Sequence, residues 1–310
     1  MWTMDDALKS KLAGLSLVVL ATACWSTSGI FINWVVDGSG ISPVGLAFWR
    51  DLCTFSLLLI GLAILRPRLL RIRRQDLPWI AAMGAVSIGF FHVLWNTAVL
   101  VNGVSVATVI QCNAPIFVTF MAWLLWREPL TPLKLIAILI AGVGIVLIAR
   151  LDNLAQSSVS IYGLGIALLS AIFYGSFSLF GKKLAGSYSS WTILLYVFGF
   201  ASLALLPFQF GRPAPWPITN RTLFSFAGLV IFTTITGFGL YTSGLRRLQA
   251  SIASITSNTE VPFAALLSYF VLGERLDMPQ VFGAILVVGG VVLVSLPKRK
   301  TRLPEPPVAS

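Results

Sequence analysis

Along the chain, apolar runs of about the length a helix needs to cross a bilayer alternate with short polar connections. In the first part they are Gly14–Val36, Val44–Leu65, Leu77–Leu100, Val104–Trp126 and Pro132–Ala149. In the second they are Ile161–Gly181, Trp191–Phe210, Leu223–Leu245, Ala250–Gly273 and Gln280–Leu296. Each is expected to be helical, because backbone amides in hydrocarbon must find partners within their own segment. The fold class is therefore all-α and polytopic, with ten transmembrane helices. The polar stretch Leu151–Ser160 divides them five and five, giving units 1–150 and 151–297. The tail 298–310 is basic and then Pro-rich, and is expected to be disordered. Lys9 and Lys11 ahead of an apolar run resemble a secretory leader, but that run continues through Trp34 and Val36 and reads as a full crossing.

The two units repeat. Trp95-Asn96-Thr97 matches Tyr241-Thr242-Ser243, and Ser105-Val106-Ala107-Thr108 matches Ser251-Ile252-Ala253-Ser254, each pair 146 residues apart. Glu128 and Leu130 match Glu274 and Leu276 in the same register, and Gly144 matches Gly290. Near the start of each unit Trp25 and Thr27 match Tyr174 and Ser176. Five spans per unit is an odd number, so the second copy must be inverted relative to the first. Inverted repeats place a site near mid-membrane and supply two nearly equivalent conformations, each open to one side.

Charge adds an orientation. With Met1 in the cytoplasm, every one of the 22 Lys and Arg residues falls in cytoplasmic loops or termini except Arg50, Arg150, Arg212, Arg221 and Arg275. Positive charge resists translocation, so both termini are expected to be cytoplasmic in a multi-pass cell-membrane protein. Composition agrees: 57% hydrophobic and 11% charged residues exclude an ordinary soluble domain. The net charge of +11 is spread over membrane-edge loops, which points to lipid head groups and away from nucleic acid. Cys24, Cys53 and Cys112 lie within apolar runs at no metal-like spacing and read as packing residues.

Several residues stand out as chemistry inside hydrocarbon. Trp25 and Tyr174 fall near the midplane, about 16 and 20 Å along their helices. Trp95 and Tyr241 fall toward opposite mouths. The first pair is expected to line a pocket and the second to help close gates, with core packing or interfacial anchoring as the alternative. His92, Trp95 and Asn96 share one helix face, and His92 is the only histidine, able to carry a proton or simply bond a neighbouring helix. Glu260 is the one carboxylate well inside a span of the second unit, with Ala114 at the equivalent place. Function is the default reading of such a group, as a cation ligand or a proton carrier. Arg50 and its neighbour Asp51 point roughly 100° apart and are not expected to pair with each other. Gln111, Asn113 and Asn258 are candidate pocket donors and acceptors, equally placed for interhelical bonds. Gly142, Gly144, Gly289 and Gly290 suit close helix packing or a dimer face.

At these residues the chain resembles the drug/metabolite transporter superfamily, in its ten-helix branch of EamA-type bacterial exporters. The resemblance rests on Trp25-Ser26-Thr27 and Tyr174-Gly175-Ser176; on Pro115 with Glu128-Pro129-Leu130; and on Pro262 with Glu274-Arg275-Leu276. It implies a secondary transporter of a small organic solute, an amino acid, amine or related metabolite, moved outward by alternating access. Arg50 matches an arginine common at this place in the family, where it would bind carboxylate solutes or lock helices. Pro262 departs from the pattern, one position later than Pro115 in the repeat register. A channel or non-transporting scaffold is the competing class. An enzyme would need a nucleophile with its base, or metal ligands, which the sequence does not assemble, and no cofactor is expected. The sequence carries no phosphate-binding loop, so any uphill flow must draw on an ion gradient or the membrane potential.

Overall fold

The computed structural model describes residues 4–148, 160–210, 219–267, 269–270 and 277–295, with only the backbone of 4, 5, 7, 100, 102–106, 108 and 109. Residues 151–159 of the polar stretch, Arg150, Arg212, Glu274-Arg275-Leu276 and the tail lie outside the described residues, as do the side chains of Ser105, Val106 and Thr108.

The described chain is helical throughout, and six of its helical stretches are long and apolar enough to cross a membrane. The first span is two helices, α1 (Met4–Trp25) and α2 (Ser28–Ser39), broken at Ser26-Thr27. The second span is α3 (Pro43–Leu65), started by Pro43 in the first turn and by the Ser42 hydroxyl, which accepts from the Gly45 amide. The third comprises α4 (Leu77–Gly84), a π-helical stretch Ala85–Phe90 and the beginning of α5 (Phe91–Gln111). After α5 come α6 (Ala114–Trp126) and α7 (Pro132–Ile148). The second unit holds α8 (Ile161–Leu184), α9 (Ser190–Leu205), α10 (Asn220–Gly228), a π-helical stretch Leu229–Thr236 and α11 (Gly237–Leu245). It closes with α12 (Ala250–Ser257), α13 (Glu260–Leu267) and α14 (Met278–Ser295).

Two expected boundaries are redrawn. Helix is continuous through the connection expected between Leu100 and Val104. A straight helix of that length would hold its ends about 30 Å apart, yet Phe91 and Gln111 line one cavity, so α5 is not a single rod. The fourth and ninth spans, expected as single helices, are each interrupted: α5 ends at Gln111 and α6 starts at Ala114, while α12 ends at Ser257 and α13 starts at Glu260. Both interruptions keep the 146-residue register although Pro115 and Pro262 do not. A proline is tolerated anywhere in a first turn and disfavours helix just before it, so a one-residue shift leaves the break in place. The two breaks bond to each other, Asn258 Nδ2 donating to the freed Cys112 carbonyl at 3.2 Å.

Equivalent helices pack together. α3 lies on α9 and α7 on α14. A Cβ added to Gly144 would come 2.5 Å from the Gly283 carbonyl oxygen, one on Gly283 equally close to that of Gly144, and one on Gly290 2.9 Å from that of Ala137. Going forward along α7 from 137 to 144 therefore means going backward along α14 from 290 to 283. The two equivalent helices run antiparallel. α1 and α2 pair in the same sense with α11 and α10: Gly14 meets Gly244, Trp25 meets Gly237 and Phe31 meets Gly228. The Thr27 and Thr233 hydroxyls meet at 3.1 Å. Their repeat counterparts, Ser176 and Ser87, meet at 2.6 Å.

The Gly144 crossing yields a test. Gly144→Leu forces side-chain atoms into backbone, an overpacking cost of about 1–3 kcal/mol, and should lower the melting temperature by several degrees. Gly142, where a Cβ meets nothing within 4 Å, supplies the control substitution Gly142→Leu. Equal melting of the two variants would refute this packing.

The surface is apolar where lipid would touch it. Ile64 and Leu65 of α3, Phe120 and Leu124 of α6, Leu139 of α7 and Phe282 of α14 are all exposed. Polar side chains such as Thr22, Asp51, Ser87, His92, Thr233 and Thr234 are buried instead. Basic groups gather at one end, where Lys183 sits 3.1 Å over the Trp79 ring, Arg246 donates to the Tyr188 carbonyl and Tyr188 donates to Asp76. Arg221 lies against Trp34, near the far end of α2 from Lys11.

Candidate functional site

A cavity of about 100 Å³ lies in the middle of the bundle, walled by both units. The first contributes Trp25, Ser26, Ser28, Gly29, Arg50, Phe91, His92, Trp95 and Gln111. The second contributes Tyr174, Thr233, Phe238, Glu260, Val261 and Ala264. The helix break places Glu260 there as the first residue of α13, where the N-terminal end of the helix dipole favours a carboxylate. The break is tied to α1 through Thr22 and Thr259, whose hydroxyls are 2.8 Å apart.

Arg50 is oriented by a 2.7 Å bond from Nε to Thr234 Oγ1, whose own hydroxyl donates to the Leu229 carbonyl within the π-helical stretch. Asp51, as expected, turns away from Arg50. It meets His92 instead, with Oδ1 2.9 Å from Nδ1 and both side chains buried. His92 Nε2, Trp25 Nε1 and Gln111 Oε1 have no hydrogen-bond partner among the described residues, so the cavity wall carries polar atoms able to bond an occupant. Tyr174 meets Trp25 edge-on with ring centroids 6.1 Å apart, and Gly237 leaves room for the indole, since a Cβ there would sit 2.7 Å from it.

Of the remaining expected site residues only Trp95 lines the central cavity. Tyr241 is buried under Trp25, rings 5.0 Å apart, with its hydroxyl 2.6 Å from Ser178; it does not line the cavity. Trp95 and Gly29 are shared with a second, smaller cavity that reaches Asn33, Val36, Pro43 and Asn96. Asn96 lines this second cavity and not the first, and it donates to the Pro43 carbonyl at 3.0 Å. The two cavities together lead toward the α2–α3 connection, away from the basic end. Asn258 is committed to the Cys112 carbonyl. Asn113 is exposed and bonds the Ile110 carbonyl one turn back, on the outside of the break rather than in the cavity. Sequence reasoning did not place Phe91 or Phe238 in the wall, and it left Asp51 without its partner. The rule that a buried ionisable group seeks another would have offered His92.

These features have counterparts among known proteins. The EamA-like transporter family matches twice, over residues 12–150 and 161–296, leaving little of the chain outside it. The chain belongs to this family. An uncharacterized inner membrane transporter of Salmonella typhimurium, YicL, is 25% identical over 93% of this chain and 96% of its own. An uncharacterized transporter of Archaeoglobus fulgidus is 28% identical over 90% of this chain and 97% of its own. A protein of Streptantibioticus cattleyicolor named as a probable terminal-alkyne amino-acid exporter is 25% identical, with 90% and 92% covered. A crystal structure only 16% identical superposes with a TM-score of 0.75 over 92% of this chain and 96% of that one, a likeness of fold.

In this EamA-like transporter the basic end of the bundle is closed across the two units. α6 is followed by Arg127 as its C-terminal cap, which at φ 53° is the one non-glycine residue in the left-handed region among those described, and the turn directs Glu128 inward. The Glu128 carboxylate accepts from the Ala250 amide at 2.9 Å, the Ser251 amide at 3.4 Å and the Ser251 hydroxyl at 2.5 Å, capping α12 of the other unit. Lys134 stands 3.6 Å behind it. Nearby, Lys182 of α8 donates to the carbonyls of Leu245 and Leu248.

Proposed function

We propose that this protein is a secondary transporter that moves a small organic solute, an amino acid, amine or related metabolite, out of the cell by alternating access. The observation that carries this reading is the central cavity, which both units wall and in which Glu260, Arg50 and His92 face aromatic rings. A carboxylate and a guanidinium in one cavity suit a solute bearing both charges, and the faces of Trp25 and Tyr174 suit a cationic or aromatic part. The relative named as a probable terminal-alkyne amino-acid exporter is consistent with this class. Equivalent helices running antiparallel favour inverted repeats, with both termini on the cytoplasmic side of the cell membrane. On that orientation the cavity faces outward and the Glu128 latch closes the inner end. Tyr241 and Phe177 seal the space beneath Trp25. Glu260 takes up and releases the coupling proton, with the His92–Asp51 pair as a second carrier on the same wall.

Purified protein in sealed vesicles, offered amino acids, amines and quaternary cations, tests this. A saturable flux accelerated by solute on the far side is expected. Flux that does not saturate would mark a channel, and none for any solute would favour a scaffold. Trp25→Ala and Tyr174→Ala should each raise the half-saturating solute concentration about tenfold, the equivalent of roughly 1.4 kcal/mol. Unchanged saturation by either variant removes that ring from the pocket.

A further inference from the structure

Beside the Glu128 latch a separate cavity of about 290 Å³ opens between α1, α7, α12 and α14. Its polar lining is Lys11, Lys134, Arg247, Thr131 and Gln249, and none of the described lining residues is acidic. Glu128 stands 3.6 Å from the buried Lys134 ammonium, and Lys11 and Arg247 are the further basic side chains of this wall. Arg247 is exposed at the rim, and Lys11 is held across the opening by a 3.3 Å bond to the Val294 carbonyl. The rest of the wall is apolar, with Leu133, Ile252 and Val294. Leu133 continues into the exposed row of Leu135, Ile136 and Leu139 on α7. A ligand fitting both parts has an anionic head and a hydrocarbon tail lying on the bundle's apolar surface.

We propose that this cavity binds the phosphate of an anionic phospholipid, which bridges the two units and reinforces closure of this end. Basic pockets between membrane helices are the expected place for such head groups. The binding claim stands on the cavity alone; the effect on closure rests on the alternating-access reading. Lys11 and Thr131 come from the first unit and Arg247 and Gln249 from the second, so one phosphate contacting Lys11 and Arg247 spans the seam that must part for this end to open.

The test is lipid retention, which needs no transport. Detergent-purified protein is mixed with phosphatidylglycerol or with phosphatidylcholine of the same chains, and bound lipid is counted by native mass spectrometry. Wild type is expected to retain phosphatidylglycerol at least tenfold better. Lys11→Gln with Arg247→Gln should bring retention to the phosphatidylcholine level, and Lys11→Arg with Arg247→Lys should restore it. Lys183→Gln, a loss of charge at the same end over Trp79, should change nothing. Melting in phosphatidylcholine alone verifies that the variants fold. Undiminished phosphatidylglycerol retention by the double Gln variant overturns the site. Inorganic phosphate displacing the lipid would support phosphate recognition; phosphate binding without any preference for phosphatidylglycerol would overturn the lipid assignment.

Discussion

Glu260→Gln is expected to abolish solute movement driven by a pH gradient, cutting the initial rate at least tenfold, while equilibrium exchange of solute across the vesicle wall survives. Glutamine preserves the shape of the side chain and its place at the head of α13 but cannot take up a proton. A carboxylate placed inside a membrane is costly enough that a structural role alone gives no reason to keep it. Here it heads a helix begun by a break, and the equivalent place in the first unit is Ala114, so the repeat does not require it. His92→Ala should slow the same gradient-driven rate less, because Glu260 stays in place on the cavity wall. Gradient-driven flux in E260Q at the wild-type rate would remove this residue from coupling. Loss of exchange as well as driven flux would instead make it a solute ligand.

The second large effect is expected at Glu128. Glu128→Ala takes the carboxylate acceptor from the Ala250 and Ser251 amides and removes the negative charge 3.6 Å from the buried Lys134 ammonium. Breaking a buried pair by removing one partner costs about 3–5 kcal/mol, and water reaching the opened end should reduce this to about 2–3 kcal/mol. If the latch holds the end shut, that energy appears as opening. A cysteine placed at Ser178, under the Tyr241 hydroxyl, in a background lacking Cys24, Cys53 and Cys112, should react with a water-soluble thiol reagent at least tenfold faster. Glu128→Gln should fall between, since its amide oxygen can still accept from α12. Unchanged labelling together with a lower melting temperature would mean that Glu128 stabilises the fold without gating it.

The legible part of this molecule came from the two periodicities of its sequence. Runs of apolar residues specify membrane helices, because in hydrocarbon no alternative lets a lone segment satisfy its own amides. The repeat recurs in three dimensions: Thr27 and its counterpart Ser176, 149 residues on, make hydroxyl contacts with Thr233 and Ser87, which are themselves 146 residues apart. The cavity was only partly legible. Trp25, Tyr174, Trp95, Gln111, His92, Arg50 and Glu260 line it, whereas Asn96, Asn113, Tyr241 and Asn258 do not. A period of 3.6 residues gives the angle between side chains on an unbroken helix, and Asn113 and Asn258 sit in the breaks, where that angle no longer applies.

What the sequence determined alone was thus the helical class, the duplication and the set of ionisable groups that cannot face lipid. Only the tertiary structure decided that Asp51 turns to His92, that Asn258 caps the opposite break and that Glu128 crosses to the other unit. Each of those is a contact between residues at least 41 positions apart in the chain. Local propensity carries no information about such pairs; they follow from which helices lie side by side, and that is set by packing such as the close approach of α7 and α14 at Gly144 and Gly283.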